Sequence, residues 1–108
     1  MGYQKNKRKK QRDFVALLRP LLRSPEWLLL SKSAMLAYVY IKTGYNGANN
    51  GEIVAPYGLL QKVLRSSATV CKVLEELETK HWIEKTVQGG LFKRASKYRL
   101  TFLYDKFQ

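Results

Sequence analysis

Histidine and cysteine occur once each, as His81 and Cys71, and only eight acids stand against 20 lysines and arginines. A single cysteine excludes an internal disulfide. One histidine with one cysteine cannot form a metal-binding cluster of nitrogen and sulfur ligands. The acids are too few and too spread for paired-carboxylate hydrolysis. No glycine-rich stretch is followed by Lys and Ser or Thr, so the phosphate cradle of nucleotide-binding loops is missing. No apolar run approaches the roughly 20 residues of a membrane span. The basic start followed by Phe14 to Leu18 has the outline of a signal peptide, but Arg19, Pro20 and Arg23 break it. These absences argue against an enzyme, a bound metal or cofactor, a small-molecule ligand and a membrane partner, and they fit a cytoplasmic setting.

What the chain does have is positive charge and enough apolar residues for one modest core. At 108 residues with 45% apolar content it reads as a single folded domain, and its net charge of +12 points to a polyanionic partner. Lys5, Lys7, Arg8, Lys9, Lys10 and Arg12 crowd the start. A run of like charge without apolar periodicity predicts a flexible basic arm over residues 1–12, ahead of a domain over 13–108. A second basic group, Lys85, Lys93, Arg94, Lys97 and Arg99, has no acid within it.

The stretch SSATVCKVLEELETKHWIEK, Ser66 to Lys85, organises the rest. Ser66 or Ser67 offers a hydroxyl cap for a helix start. Val70, Leu74 and Leu77 recur at helical spacing as one apolar stripe. Lys72 with Glu76, and Glu76 with Lys80, stand one turn apart and suit ion pairing. Glu75, Glu76 and Glu78 fall in the second half of this helix, so that half should point away from phosphate. The first half, Ser67 to Lys72, carries no acid and is free to approach it. Cys71 beside Val70 reads as a small core residue, and a redox role would require an exposed, activated thiolate.

Upstream, Phe14 to Leu18 reads as a short strand or an extended lead-in that Pro20 interrupts. Ser24-Pro25-Glu26 is a helix start, with Trp27 to Leu30 expected to be buried in the monomer or against a partner. Ser31-Lys32-Ser33 starts another helix whose apolar run, Ala34 to Ile41, implies cover on several sides. Gly44 is expected to supply its left-handed end. Tyr45 to Gly51 is a loop by composition. Glu52-Ile53-Val54 is a candidate strand. Pro56 then opens a helix to about Leu64, two or three residues before the next, as a helix-turn-helix requires. Tyr38, Tyr40, Tyr57, Trp27 and Trp82 are expected in the core. After Trp82 to Val87, Gln88-Gly89-Gly90 is a hairpin signal. Tyr98, Leu100 and Phe102 alternate with Lys97, Arg99 and Thr101 as a strand. The expected fold is mainly α with a small β-hairpin (α+β): a three-helix core, an N-terminal helix and the hairpin.

The stretch from Thr69 to Lys85 resembles the second helix and first wing strand of winged helix-turn-helix DNA-binding proteins, including bacterial regulators of the multiple-antibiotic-resistance and gluconate-operon types. The upstream part, Phe14 through the Tyr45–Gly51 loop to Pro56-Tyr57, looks closer to phage- and plasmid-type proteins such as the N-terminal domains of phage replication O proteins. The resemblance implies that Ser67, Ala68, Thr69, Cys71 and Lys72 face the DNA groove. It also implies that Lys93 and Arg94, with Lys97 nearby, form a basic wing against the minor groove or phosphates. Two positions depart from the pattern. The tight turn of such proteins has Gly where this chain has Leu64 and an apolar residue where it has Arg65. Either Leu64 serves the core and Arg65 faces phosphate, or the turn geometry differs. The helix ends in His81 where Gly is usual, and His tolerates a left-handed backbone better than a branched residue does. Initiators that cut DNA with a tyrosine need histidine-bound metal, and this chain lacks the histidines.

The expectation is therefore double-stranded DNA binding, as a transcription regulator or a phage- or plasmid-type replication-origin binder. A homodimer through residues 14–30 would suit a palindromic site. The rival readings are a winged-helix protein-interaction module, which has no need of so much charge, and a non-specific DNA or RNA binder, which the basic arm alone would support.

Overall fold

A computed structural model describes residues 14–89 and 96–102. The basic arm expected over residues 1–12, and Lys93 and Arg94 of the expected wing, lie outside the described residues.

Three serine caps set the helical register. Leu18 is extended, and Pro20 starts helix α1 (Arg19–Leu22) in its first turn, where a missing N–H costs nothing. Pro20 thus ends the extended lead-in by opening a helix. Ser24 Oγ then accepts from Trp27 N to cap α2 (Pro25–Leu28), and Ser31 Oγ accepts from Ala34 N to cap α3 (Lys32–Lys42). So short a helix as α2 can turn only part of its surface inward. Trp27 and Leu30 are buried, while Leu28 and Leu29 remain 65% and 73% exposed, so the expected burial of the whole run holds for half of it.

α3 buries Ala34, Ala37, Tyr38 and Ile41 along one face, and Leu36 on the other stays exposed. Gly44 does not have a positive φ, so it is not the left-handed end that was expected. The space there is tight: a Cβ on Gly44 would meet Ile53 Cγ2 at 3.3 Å. The left-handed glycines are Gly47 and Gly51, within a loop held by side-chain amides. Asn46 Oδ1 accepts from Ala48 N, Asn49 Oδ1 accepts from Asn46 N, and Asn49 Nδ2 donates to Gly44 O.

β1 (Ile53–Val54) follows, then α4 (Tyr57–Leu64) with Pro56 as its cap residue, α5 (Ser67–Thr79), β2 (Ile83–Val87) and β3 (Lys97–Leu100). Among the described residues this makes five helices and one three-stranded antiparallel sheet in the order β1-β3-β2. The third strand goes beyond the expected hairpin. Asn50 extends the β1–β3 pairing by donating from Nδ2 to Leu100 O and accepting at Oδ1 from Leu100 N. Register runs Ile53 to Tyr98 on one side of β3 and Ile83 to Leu100 on the other, so the alternate residues Tyr98 and Leu100 are buried.

Helices α3 and α5 and the sheet enclose one core in a compact α+β domain. Trp27, Tyr38 and Trp82 meet edge-to-face at 5.2–5.8 Å between ring centroids, locking α2, α3 and the turn after α5 together. Tyr40 is partly buried against this core, as expected in outline. Tyr57 is 38% exposed and is not a core residue; its hydroxyl lies 3.4 Å from that of buried Tyr98. Burial pushes the Tyr98 phenol well above its ordinary range, and the contact with Tyr57 adds to the shift.

Candidate nucleic-acid interface

The link between α4 and α5 is two residues long and each residue has a distinct backbone. Arg65 is left-handed (φ 68°, ψ 15°) and donates its N–H to Gln61 O, ending α4. Ser66 is extended and its Oγ accepts from Thr69 N at 3.2 Å, starting α5. The left-handed place thus falls on Arg65, and Leu64 packs against the core. Leu64 is partly buried against the core and Arg65 is exposed, while the left-handed place falls one residue after the position where the pattern has Gly.

Helical phase then decides which side chains α5 offers. Val70, Val73, Leu74 and Leu77 are buried, so the opposite face turns outward. Ala68, Cys71 and Lys72 are exposed on that side, and Thr69 is half-buried at its edge; Ser67, three residues before Val70, is on the stripe's own side and is exposed at the start of the helix. Cys71 is exposed and not the small core residue its neighbour Val70 suggests. Three and four residues past Lys72 and Cys71, Glu75 lies on the same outward face and is also exposed; grouping it with Glu76 and Glu78 by sequence hides this.

The charges around this face are unevenly committed. Lys62, Arg65 and Lys72 are exposed and form no ion pair among the described residues. No acid occurs in the sequence between Glu52 and Glu75. The strand cations differ. Lys97 is held by Glu52 at 2.8 Å, and Arg99 pairs with Glu84 across the register. Lys85 donates to Gln88 Oε1. Any phosphate reaching Lys97 has Glu52 to displace.

Glu76 does not pair with Lys72. Its carboxylate accepts from Ser31 N at 2.9 Å and Ser31 Oγ at 2.7 Å, and from Lys80 Nζ at 3.1 Å. Lys80 Nζ also donates to Leu29 O. Burial pushes the Glu76 carboxyl up, but the Ser31 and Lys80 donors outweigh it and hold the carboxyl below its ordinary range. This clasp fixes the back of α5 to the start of α3 and so sets the angle at which the outward face is presented. At its end, His81 is left-handed (φ 67°), as its place at the helix end implied, and the chain turns into β2.

Among the described residues no three His, Cys, Asp or Glu side chains gather as metal ligands, and no helix is long and apolar enough to cross a membrane. Ala68, Cys71 and Lys72 share one exposed face of α5, Arg65 in the turn before it and Lys62 on α4 are also exposed, and Lys97 lies on β3. Comparison with family models, curated proteins and solved structures finds no match to this chain.

Proposed function

We propose that this chain is a winged helix-turn-helix protein that binds double-stranded DNA without catalysis, in the cytoplasm, as a transcription regulator or replication-origin binder. α5 is the recognition helix and the β2–β3 hairpin is the wing. The observation that carries the reading is the uncommitted charge around α5. Lys62 on α4, Arg65 in the turn and Lys72 on α5 are exposed, and the first two turns of α5 carry no acid. Lys80, Lys97 and Arg99, by contrast, are each paired with a carboxylate. Side chains at a helix N-terminus read base edges in the major groove while cations beside it neutralise phosphates. Ser67, Ala68, Thr69, Cys71 and Lys72 are the groove-facing set, Arg65 and Lys62 flank it, and Lys93, Arg94 and Lys97 belong to the wing.

The test is affinity for duplex DNA, duplex RNA and single-stranded DNA across a salt series, for the full chain and for Arg65→Ala. Duplex DNA should bind tightest. Arg65→Ala should flatten the slope of log affinity against log salt by about one unit, since one phosphate contact releases about 0.9 counterions. Equal affinity for duplex RNA, or an unchanged slope in the variant, would overturn the reading.

A second role is favoured by a separate observation. Leu28 and Leu29 stand exposed side by side on the turn that Lys80 ties to α5. Such a surface suits docking of a protein, including a second copy of this chain, and it is compatible with DNA binding at α5.

A further inference from the structure

We propose that Glu75 is a specificity-determining residue whose carboxylate accepts a hydrogen bond from the exocyclic N4 amine of a cytosine in the major groove. This rests on the DNA-binding reading of α5. Ala68, Cys71, Lys72 and Glu75 follow the spacing of one helical face, and all four are exposed. Glu75 lies about 10.5 Å along the axis from Ala68 at 1.5 Å per residue. A major groove is wide enough to admit the helix that carries this face.

A carboxylate on such a face needs a reason, because phosphates repel it. The other acids of α5 have other occupations. Glu76 is taken by Ser31 and Lys80. Glu78 is partly buried and its charge acts on the Tyr98 phenol. Glu75 forms no ion pair or hydrogen bond among the described residues, although Lys72 stands one turn before it. The residue one turn after it is Thr79, which brings no compensating charge. Of the base edges in the major groove, cytosine offers a lone amine donor without the adjacent acceptor that adenine N7 would set against a carboxylate. Glu75 therefore rewards a cytosine and penalises sites without one, since an unmatched carboxylate is then left desolvated among acceptors. Lys72 is suited to guanine O6 and N7. Its Cβ lies about 5–6 Å from that of Glu75, against a base rise of about 3.4 Å, so the two bases fall one or two steps apart.

The experiment is selection of bound sequences from a random duplex pool by the full chain, by Glu75→Ala and by Glu75→Gln, with thermal melts to establish that each variant folds. The parent should enrich cytosine at one position, by roughly 5- to 100-fold in affinity over other bases, the range that one base contact provides. Glu75→Ala should leave that position degenerate, keep the others, and bind a scrambled duplex more tightly than the parent. Glu75→Gln should shift the position toward adenine, which an amide pairs in two places. An enriched parent site with the same profile in both variants overturns the proposal alone and leaves Glu75 a solvated surface residue. A parent pool with no enrichment overturns the proposal together with the sequence-reading role of α5.

Discussion

Leu74→Ala tests the rotational phase of α5, and with it which side chains face outward. Leu74 is 5% exposed, one turn after Val70 and three residues before fully buried Leu77. Burying a leucine contributes about 1.5–3 kcal/mol by transfer from water. The cavity left by truncation adds to that, so the substitution should cost about 2–5 kcal/mol. α5 packs against α3, α4 and β2, so the surrounding atoms are constrained from several sides and a value near the middle of that range is expected. For a domain of this size each kcal/mol moves the midpoint by about 4–8 °C, so a cost of about 3 kcal/mol lowers Tm by roughly 12–24 °C. That is a large part of a total stability of about 5–15 kcal/mol. The paired control is Cys71→Ala on the outward face, which should change stability by no more than about 0.5 kcal/mol. Circular-dichroism melts of the two variants and the parent give the answer. A Leu74→Ala midpoint within a couple of degrees of the parent, or a Cys71→Ala cost of the same size as that of Leu74→Ala, would mean that α5 is rotated away from the phase that buries Leu74.

Three further outcomes are expected. Because the folded Glu76 carboxyl titrates below its ordinary 4.5, its contribution is present above that pH and is lost as pH falls through the lowered folded value. Glu76→Gln should therefore destabilise at neutral pH, with a Tm gap to the parent that closes in acid; a gap that persists or widens there would refute the clasp. Arg65 and His81 are both left-handed, at about 1–2 kcal/mol each for a side-chain residue, of which glycine returns about 0.5–1 through its looser unfolded chain. Arg65→Gly and His81→Gly should each raise stability by up to about 1 kcal/mol, but only Arg65→Gly should weaken duplex binding; equal binding by the two would remove Arg65 from the interface. Finally, exposed Phe14, Leu28 and Leu29 should pair two copies on a palindromic duplex, and light scattering that shows a monomer at high concentration with and without DNA would dismiss the dimer.

The helix starts were legible because Ser24, Ser31 and Ser66 each precede an apolar run, and a hydroxyl cap is a local signal. The stripe Val70, Leu74 and Leu77 was legible for the same kind of reason, and it also placed Lys72 and Glu75 off the buried side. Applied consistently, that phase would have turned Cys71 outward too; its apolar neighbour was the weaker guide. Pro20 reads as a break because proline both ends and begins segments, and only the chain after it distinguishes the two. Gly44 was assigned by its position after a helix, whereas the structure shows it closely approached by Ile53, which no local pattern reveals. The third strand was the hardest feature to see as part of a sheet. β1 has two residues, and its pairing with β3 is completed by Asn50 reaching Leu100. The same distant register brings Glu52 to Lys97 and Glu84 to Arg99, so which cations remain uncommitted could not be read from their number.

Binding by helix and wing variants measures the division of labour directly. Thr69→Ala and Lys72→Ala change α5, and a Lys93→Ala, Arg94→Ala double variant changes the proposed wing. Each is measured on a selected duplex and on a scrambled one across a salt series. Phosphate contacts carry no sequence information, so the wing variant should weaken both duplexes by a similar factor and flatten the salt slope by about one to two units. The helix variants should instead narrow the gap between the two duplexes, by about 1–3 kcal/mol for each base edge that goes unread. Thr69 is the cleaner probe, because Lys72 is also able to reach phosphate. If the wing variant changes the sequence preference while both helix variants leave it intact, α5 is not the reader, and the hairpin is the specific element.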